Sequence, residues 1–249
     1  MTIPRADDRW YLSAFGPLTA AFWTALVPQE RIEEEARFVA GALGVGSGSL
    51  LLDVPCGAGR HSRALGRLGL RVEGMDASEH MLAAAASEGP VAGVSLRRGD
   101  MTALAESSRF DGAFCWGNSF GYAGHEGDRS FLEGVGRALL PGARFVLQSG
   151  AVAENLLPAF QQRSEHAADG FHFTAERRYE VAEGAIHVRY RIEKDGVSEE
   201  FVSRQQVYRV AEVLRMASAA RLHAEALYGG IAGEPAGLGK GLVAVLRRE

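Results

Sequence analysis

An α/β fold, with a mostly parallel sheet and an antiparallel insert, is predicted for this chain from three observations. Short apolar runs alternate with helical stretches between residues 49 and 150, three segments between 171 and 211 alternate with a period of two, and helix and strand patterns then return. Strands separated by helices need right-handed crossovers and therefore pair in parallel, whereas strands joined by short glycine turns pair antiparallel. Composition agrees with that class. The 249 residues are 47% hydrophobic and 23% charged, as in an ordinary globular chain, and suit one large domain or one domain with an elaboration. The 27 Lys and Arg against 31 Asp and Glu leave a net charge of −4, so no broad positive field is expected to hold nucleic acid.

The elements follow in order. Trp10, Phe15, Leu18, Phe22 and Trp23, then Ile32, Ala36, Val39 and Leu43, fall at helical spacing and predict two helices in residues 1–45, broken near Pro28. Strands are predicted at 50–54, 70–75, 93–98, 111–116 and 143–148, with helices at 60–68, 78–87 and 127–139; together they make a core over 48–150. Residues 151–162 read as one helix. Strands at 171–181, 185–194 and 200–211, turning at Glu183-Gly184 and Asp195-Gly196, predict an antiparallel β lid within 165–211. A helix at 211–220 and strands at 222–228 and 242–246 complete the sheet over 212–249, so that 1–249 reads as a single domain.

Two distant cysteines, Cys56 and Cys115, suggest a reducing, cytoplasmic setting. The first residues lack the basic start and apolar core of a signal peptide, and no run approaches the ~20 apolar residues of a membrane helix, so no membrane partner is expected. The seven histidines are scattered without HExxH or CxxC spacing, which predicts no metal site. Nothing in the sequence fixes an oligomeric state.

Chemistry concentrates in LLLDVPCGAGRHSRAL (50–65) and RVEGMD (71–76). A strand ends in Asp53, glycines follow at 57 and 59, a helix opens near Arg60, and Asp76 ends the next strand 17 residues after Gly59. Glycines admit a ligand close to the backbone, the helix N-terminus offers unpaired amides, and a strand-end carboxylate can hold both hydroxyls of a ribose. The pattern predicts a nucleoside site. A nicotinamide dinucleotide site would place a third glycine where Ser62 stands and would usually lack an acid such as Asp53.

These residues resemble the class I S-adenosylmethionine-dependent methyltransferases: DVPCGAG as the donor loop, Asp76 as the ribose acid, RRGDMTAL (97–104) with a later Asp, FDGAFCWGNSFGY (110–122) as the fourth strand and loop, and LLPGARFVL (139–147) as the turn and fifth strand. Pro55 replaces the first glycine of that family's usual loop. DVPCGxGRHS and the insert after the fifth strand look like a bacterial subgroup acting on small molecules, amino sugars among them. The resemblance implies a Rossmann-like, doubly wound, seven-stranded sheet in the order 3-2-1-4-5-7-6 with its last strand antiparallel, S-adenosylmethionine as methyl donor and S-adenosylhomocysteine as product.

It also implies residue roles. Gly57 and Gly59 face the methionine part, Asp76 with Ala77 the ribose, Asp100 with Met101 the adenine, and Met81 packs on the adenosine. Trp116, Gly117 and Asn118 stand where carbonyls or an amide meet the ammonium, and Arg60 where it pairs with the carboxylate. Asp53 is expected to accept amide bonds from the glycine loop, and Cys56 and Cys115 to lie close to the donor pocket. His61 and Tyr122 are the candidate catalytic groups. Tyr11, Phe120 and Tyr122 are candidates for closing over the ligands, with Trp10 and Phe15 read as core. On the third lid strand Arg204, Gln206 and Tyr208 share a face by the two-residue period and are expected to meet the acceptor. The expected reaction is in-line methyl transfer to a small molecule, nitrogen preferred over oxygen. A cofactor-sensing module and a nicotinamide oxidoreductase are the alternatives.

Overall fold

In the computed structural model, which describes residues 3–249, the chain begins with two helices and then alternates strand and helix. Pro17 opens α1 (Pro17–Ala25), where its missing N–H costs nothing, and Pro28 precedes α2 (Gln29–Leu43), which Gly44 ends at φ 70°. There follow β1 (Leu50–Asp53), α3 (Arg60–Arg67), β2 (Arg71–Asp76), α4 (Glu79–Ser87), β3 (Val94–Arg98), β4 (Phe110–Cys115), α5 (Gly124–Ala138) and β5 (Leu139–Ser149). After a short α6 (Ala153–Leu156) come β6 (Arg163–Ala168), β7 (Phe171–Glu180), β8 (Ala185–Lys194) and β9 (Val197–Gln206), then α7 (Val210–Ala219), β10 (Leu222–Tyr228) and β11 (Leu242–Arg248).

The main sheet has the order β3-β2-β1-β4-β5-β11-β10, and β11 runs antiparallel to both of its neighbours. This is the doubly wound topology that the family resemblance implies. Strand alternation divides its core into two layers. Leu52, Ala113, Phe145 and Leu147 face α5 and α7, while Leu51, Phe114 and Val146 face α2 and α3. The strand order reverses between β1 and β4, so a crevice opens above their carboxyl ends.

The second sheet, β6-β7-β8-β9, is antiparallel throughout, and its inward face packs Phe173, Ile186 and Val188 against Phe22 of α1. Asp195 and Gly196 at φ 51° and 77° make the left-handed pair that a two-residue hairpin needs.

Three expectations change. Residues 151–162 do not form one helix: α6 lasts four residues, and Pro158 removes a donor from the next turn. β6 is a fourth lid strand that the sequence reading omits, because this edge strand, RSEHAA, is polar and mostly exposed and so lacks the apolar alternation of its neighbours. The third predicted strand spans 197–206 rather than 200–211. Its exit is set by Arg209, whose backbone N–H donates to Glu212 Oε2 at 2.9 Å and starts α7.

Candidate active site

The loop after β1 is shaped by its own backbone. Cys56 N donates to Met75 O and Gly59 N to Cys56 O, both at 2.9 Å, while Gly57 and Gly59 take φ 52° and 68°. Asp76 closes the loop from the neighbouring strand: Oδ2 accepts from Gly57 N and Oδ1 from Ser78 N, each at 2.8 Å. Burial pushes the Asp76 carboxyl up, against the pull of these amide bonds.

A cavity of about 220 Å³ lies over this loop. Its floor comprises Pro55 to Ala58, Asp76, Ala77, Met81 and Met101, and one wall carries Arg60, His61 and residues 116–119. Its roof comprises Trp10, Tyr11, Phe15, Trp23, Tyr122, Tyr190, Phe201 and Gln205. Of the predicted site residues, Tyr11, Gly57, Arg60, His61, Asp76, Ala77, Met81, Met101, Trp116, Asn118 and Tyr122 line it, as does Gly117. Trp10 and Phe15, read as core, line it as well.

Other residues stand elsewhere. Gly59 lies behind the loop, where an added Cβ would come within 2.7 Å of the Leu96 side chain, so its absent side chain serves packing. Asp100 is outside the lining: its Oδ1 accepts from Tyr11 OH at 3.0 Å and from Thr102 N at 2.9 Å, capping the turn Met101–Ala103. Burial and this carboxylate raise the Tyr11 phenol well above its usual range. Asp53 takes the hydroxyl of Ser62 at 2.5 Å rather than the expected glycine-loop amides, and burial pushes its carboxyl up to about 8. Ser62 thus has a use where a dinucleotide fingerprint would need glycine. Cys56 lines the cavity but Cys115 is packed in the core, and burial raises both thiols.

The lid presents the opposite face from the one expected. Arg204 turns outward to Asp8 Oδ1 at 2.9 Å, and Gln206 Nε2 donates to Glu183 O at 2.8 Å. Tyr208 lies beyond the strand and donates to buried Asp128 Oδ2 at 2.8 Å. Phe201 and Gln205 face the cavity instead, one residue out of phase with the predicted set. Phe120 packs into the core near Phe131 and Tyr208 rather than closing over the cavity.

The Tyr122 loop is held on both sides. Gln205 Nε2 donates to Asn118 O and Phe120 O at 2.8 Å, Gln206 N donates to Gly121 O at 2.8 Å, and Asp128 Oδ1 accepts from Gly121 N at 3.2 Å. Asn118, at φ 68°, anchors the neighbouring loop: its Oδ1 accepts from Gly150 N at 2.7 Å and Ala151 N at 3.1 Å. The Asn118 amide oxygen is therefore engaged with the protein. Burial lifts the Asp128 carboxyl to about 7 and the Tyr122 phenol far above its usual value.

Glu35, which the sequence reading passes over, joins two walls. Its Oε2 accepts from Trp116 Nε1 at 3.0 Å and meets His61 Nε2 at 2.8 Å, while Arg31 donates to Oε1 at 3.0 Å. Burial pushes its carboxyl up, but bonds and charge from His61 and Arg31 outweigh that and hold it below the usual range. An ionised carboxylate only accepts, so His61 Nε2 carries the proton and, in the neutral ring, Nδ1 keeps the lone pair. Glu35 stands in a charged helical run that gives no sign of this contact. Tyr190 and Trp23 likewise line the cavity with no sequence signal that marks them for the site.

Residues 51–142 match the family model for a methyltransferase domain. Over 111 residues the chain is 35% identical to a dTDP-3-amino-3,6-dideoxy-alpha-D-glucopyranose N,N-dimethyltransferase of Streptomyces fradiae; the match covers 44% of this chain and 43% of that protein. The chain thus spans less than half the length of this curated relative. The structure is similar to that of the CcbJ methyltransferase of Streptomyces caelestis, with a TM-score of 0.81 and 20% identity over 98% of this chain and 99% of the other. It is also similar to CalS10, an amino pentose methyltransferase of Micromonospora echinaspora solved with S-adenosylmethionine bound, with a TM-score of 0.70 and 20% identity over 94% and 98% of the two chains. At that identity the two structures establish a shared fold. The oxidoreductase and sensing alternatives gain nothing from these comparisons.

Proposed function

We propose that this chain, which carries a methyltransferase domain of the class I, S-adenosylmethionine-dependent kind, transfers the methyl group of that donor to nitrogen in a small-molecule amine. The supporting observation is a single cavity in which a glycine loop and a strand-end carboxylate lie under a roof of aromatic rings. The relatives' names agree with nitrogen as acceptor, one acting on a nucleotide-linked amino sugar and another on an amino pentose.

The floor fits the donor. At Gly57 an added Cβ would meet nothing within 4 Å, so the backbone is open to a close-lying ligand. Arg60 brings a largely buried guanidinium to the wall, where it reaches Thr24 O at 3.5 Å; Glu35 acts on its charge, but no carboxylate forms an ion pair with it within 4 Å among the described residues. We assign Arg60 to the donor's carboxylate, Asp76 with Ala77 to its ribose, and Met81 and Met101 to its adenine. Trp116 and Gly117 would meet its ammonium through their carbonyls. When bound there, S-adenosylmethionine supplies a methyl group already activated on a sulfonium, and S-adenosylhomocysteine is left.

The remaining work belongs to the protein. The roof excludes water, aligns the acceptor lone pair, and turns ring faces toward positive charge. An amine must be uncharged to attack, and His61, oriented by Glu35, is the wall residue assigned to take its proton. Tyr122 and Tyr11 shape the acceptor side. We read the described chain as one unit, with the second sheet as a lid, working in a reducing cytoplasm where Cys56 and Cys115 stay free. The net charge of −4 favours a small molecule over a nucleic acid as acceptor.

Calorimetry with S-adenosylmethionine and S-adenosylhomocysteine, followed by mass spectrometry of amine mixtures, tests the proposal. Binding of both and a methyl-sized gain on an amine are expected. A folded protein that binds neither refutes it.

A further inference from the structure

We infer that the acceptor is a phosphate-free amine with apolar faces, and that the chamber excludes amines carried on a nucleoside diphosphate; this rests on the methyl-transfer reading above. The half of the cavity facing the glycine loop is built from ring surfaces. Trp10 stacks on Phe201 at 8° with centroids 6.3 Å apart, Tyr122 meets Trp10 at 4.7 Å, and Tyr190 meets Phe201 at 4.9 Å. Such faces attract a cationic amine and cover the C–H surface of a ring or chain. They repel a phosphate, whose charge would lose water and meet the negative side of each ring.

Binding a diphosphate calls for guanidinium groups, ammonium groups or a helix N-terminus. The cavity offers its guanidinium at the other end: Arg60 opens α3 beside the glycine loop, where the proposed donor's own carboxylate needs it. The lid turns most of its arginines away. Of the five arginines on β7, β8 and β9, four (Arg178, Arg189, Arg191 and Arg204) share the outward face, because their register partners alternate with Tyr190, Phe201 and Gln205. Arg204 is paired there with Asp8 at 2.9 Å and Glu183 at 3.6 Å. Arg177 has the inward parity but donates to Ser164 Oγ on the edge strand at 2.8 Å. A nucleotide tail would thus find aromatic walls inside, with four of the five arginines of β7, β8 and β9 on the outer face of the sheet.

The test titrates thymidine diphosphate and uridine diphosphate into the full chain saturated with S-adenosylhomocysteine. A matched pair then follows: one amino sugar as its methyl glycoside and as its nucleoside-diphosphate conjugate. The free diphosphates are expected to give no binding up to about 1 mM, and the conjugate to be at least ~10-fold weaker than the glycoside. A diphosphate that binds below about 100 μM, or a conjugate that binds or reacts better than its glycoside, overturns the inference. Failure of S-adenosylhomocysteine itself to bind counts against the methyl-transfer reading, which separates the two.

Discussion

The floor and the roof of the cavity are made in different ways. The floor comes from strand ends and loops between residues 55 and 101, shaped largely by backbone hydrogen bonds and by Asp76. The roof brings Trp10 and Phe15 from the N-terminal segment to Tyr190 and Phe201 of the lid, 175 or more residues away. A floor of this kind can be shared by proteins with different acceptors, because it recognises only what the donor always presents. The roof is where acceptors are told apart.

The sharpest way to break this division is to compare Asp76→Ala with Phe201→Leu. The first should weaken S-adenosylhomocysteine by about 100-fold, since a charged hydrogen-bond acceptor is lost, and the second by less than about two-fold. Calorimetry on both reads the difference. Equal losses would mean that the halves are not separate.

Next in size, Phe201→Leu and Tyr190→Leu should each lower kcat/KM for an amine by roughly ten-fold while the donor still binds, because a cation loses one ring face. Initial rates over a range of acceptor concentrations measure it. A smaller effect sharpens the choice of lid face: Gln205→Ala should raise the acceptor KM about five-fold by loosening the Tyr122 loop, and Gln206→Ala less than about two-fold. The reverse order would restore the outward face as the acceptor surface.

The smallest effect concerns stability. Asp53 at about 8 and Asp128 at about 7 keep their protons in the native state through a range where the unfolded chain has released them, near pH 4. The native state then binds more protons, so the stability these groups contribute is present below pH 4 and lost as pH rises through 7 and 8. Melting temperature should fall between pH 5 and 8, and Asp53→Asn should flatten the part of that fall that Asp53 contributes. An unchanged slope in Asp53→Asn would show that Asp53 stays charged.

The sequence already pointed to the floor. Gly57 and Asp76, and Met101 as the resemblance implies, lie on consecutive strand-and-turn units, where local pattern and position are tied by the fixed twist and crossover of a parallel sheet. Gly59 and Asp100 show the limit of such reading. Each has the right residue type at the right spacing, yet one packs on Leu96 and the other caps a turn and holds Tyr11.

What the chain determined by itself was the order and type of most elements along the sequence, a mostly parallel sheet with an antiparallel insert, and the nucleoside-type floor, because apolar periodicity and glycine turns act over a few residues. The doubly wound strand order is what the family resemblance implies. Only tertiary structure decided which face of β9 looks inward, that Glu35 ties His61 to Trp116, and that rings from both ends of the chain meet as a roof. A strand offers two faces that differ by a single residue of phase. With Phe201 on one and Tyr208 in line with the other, the sequence weighs them almost equally. Packing against α1, the Tyr122 loop and the N-terminal segment breaks that balance.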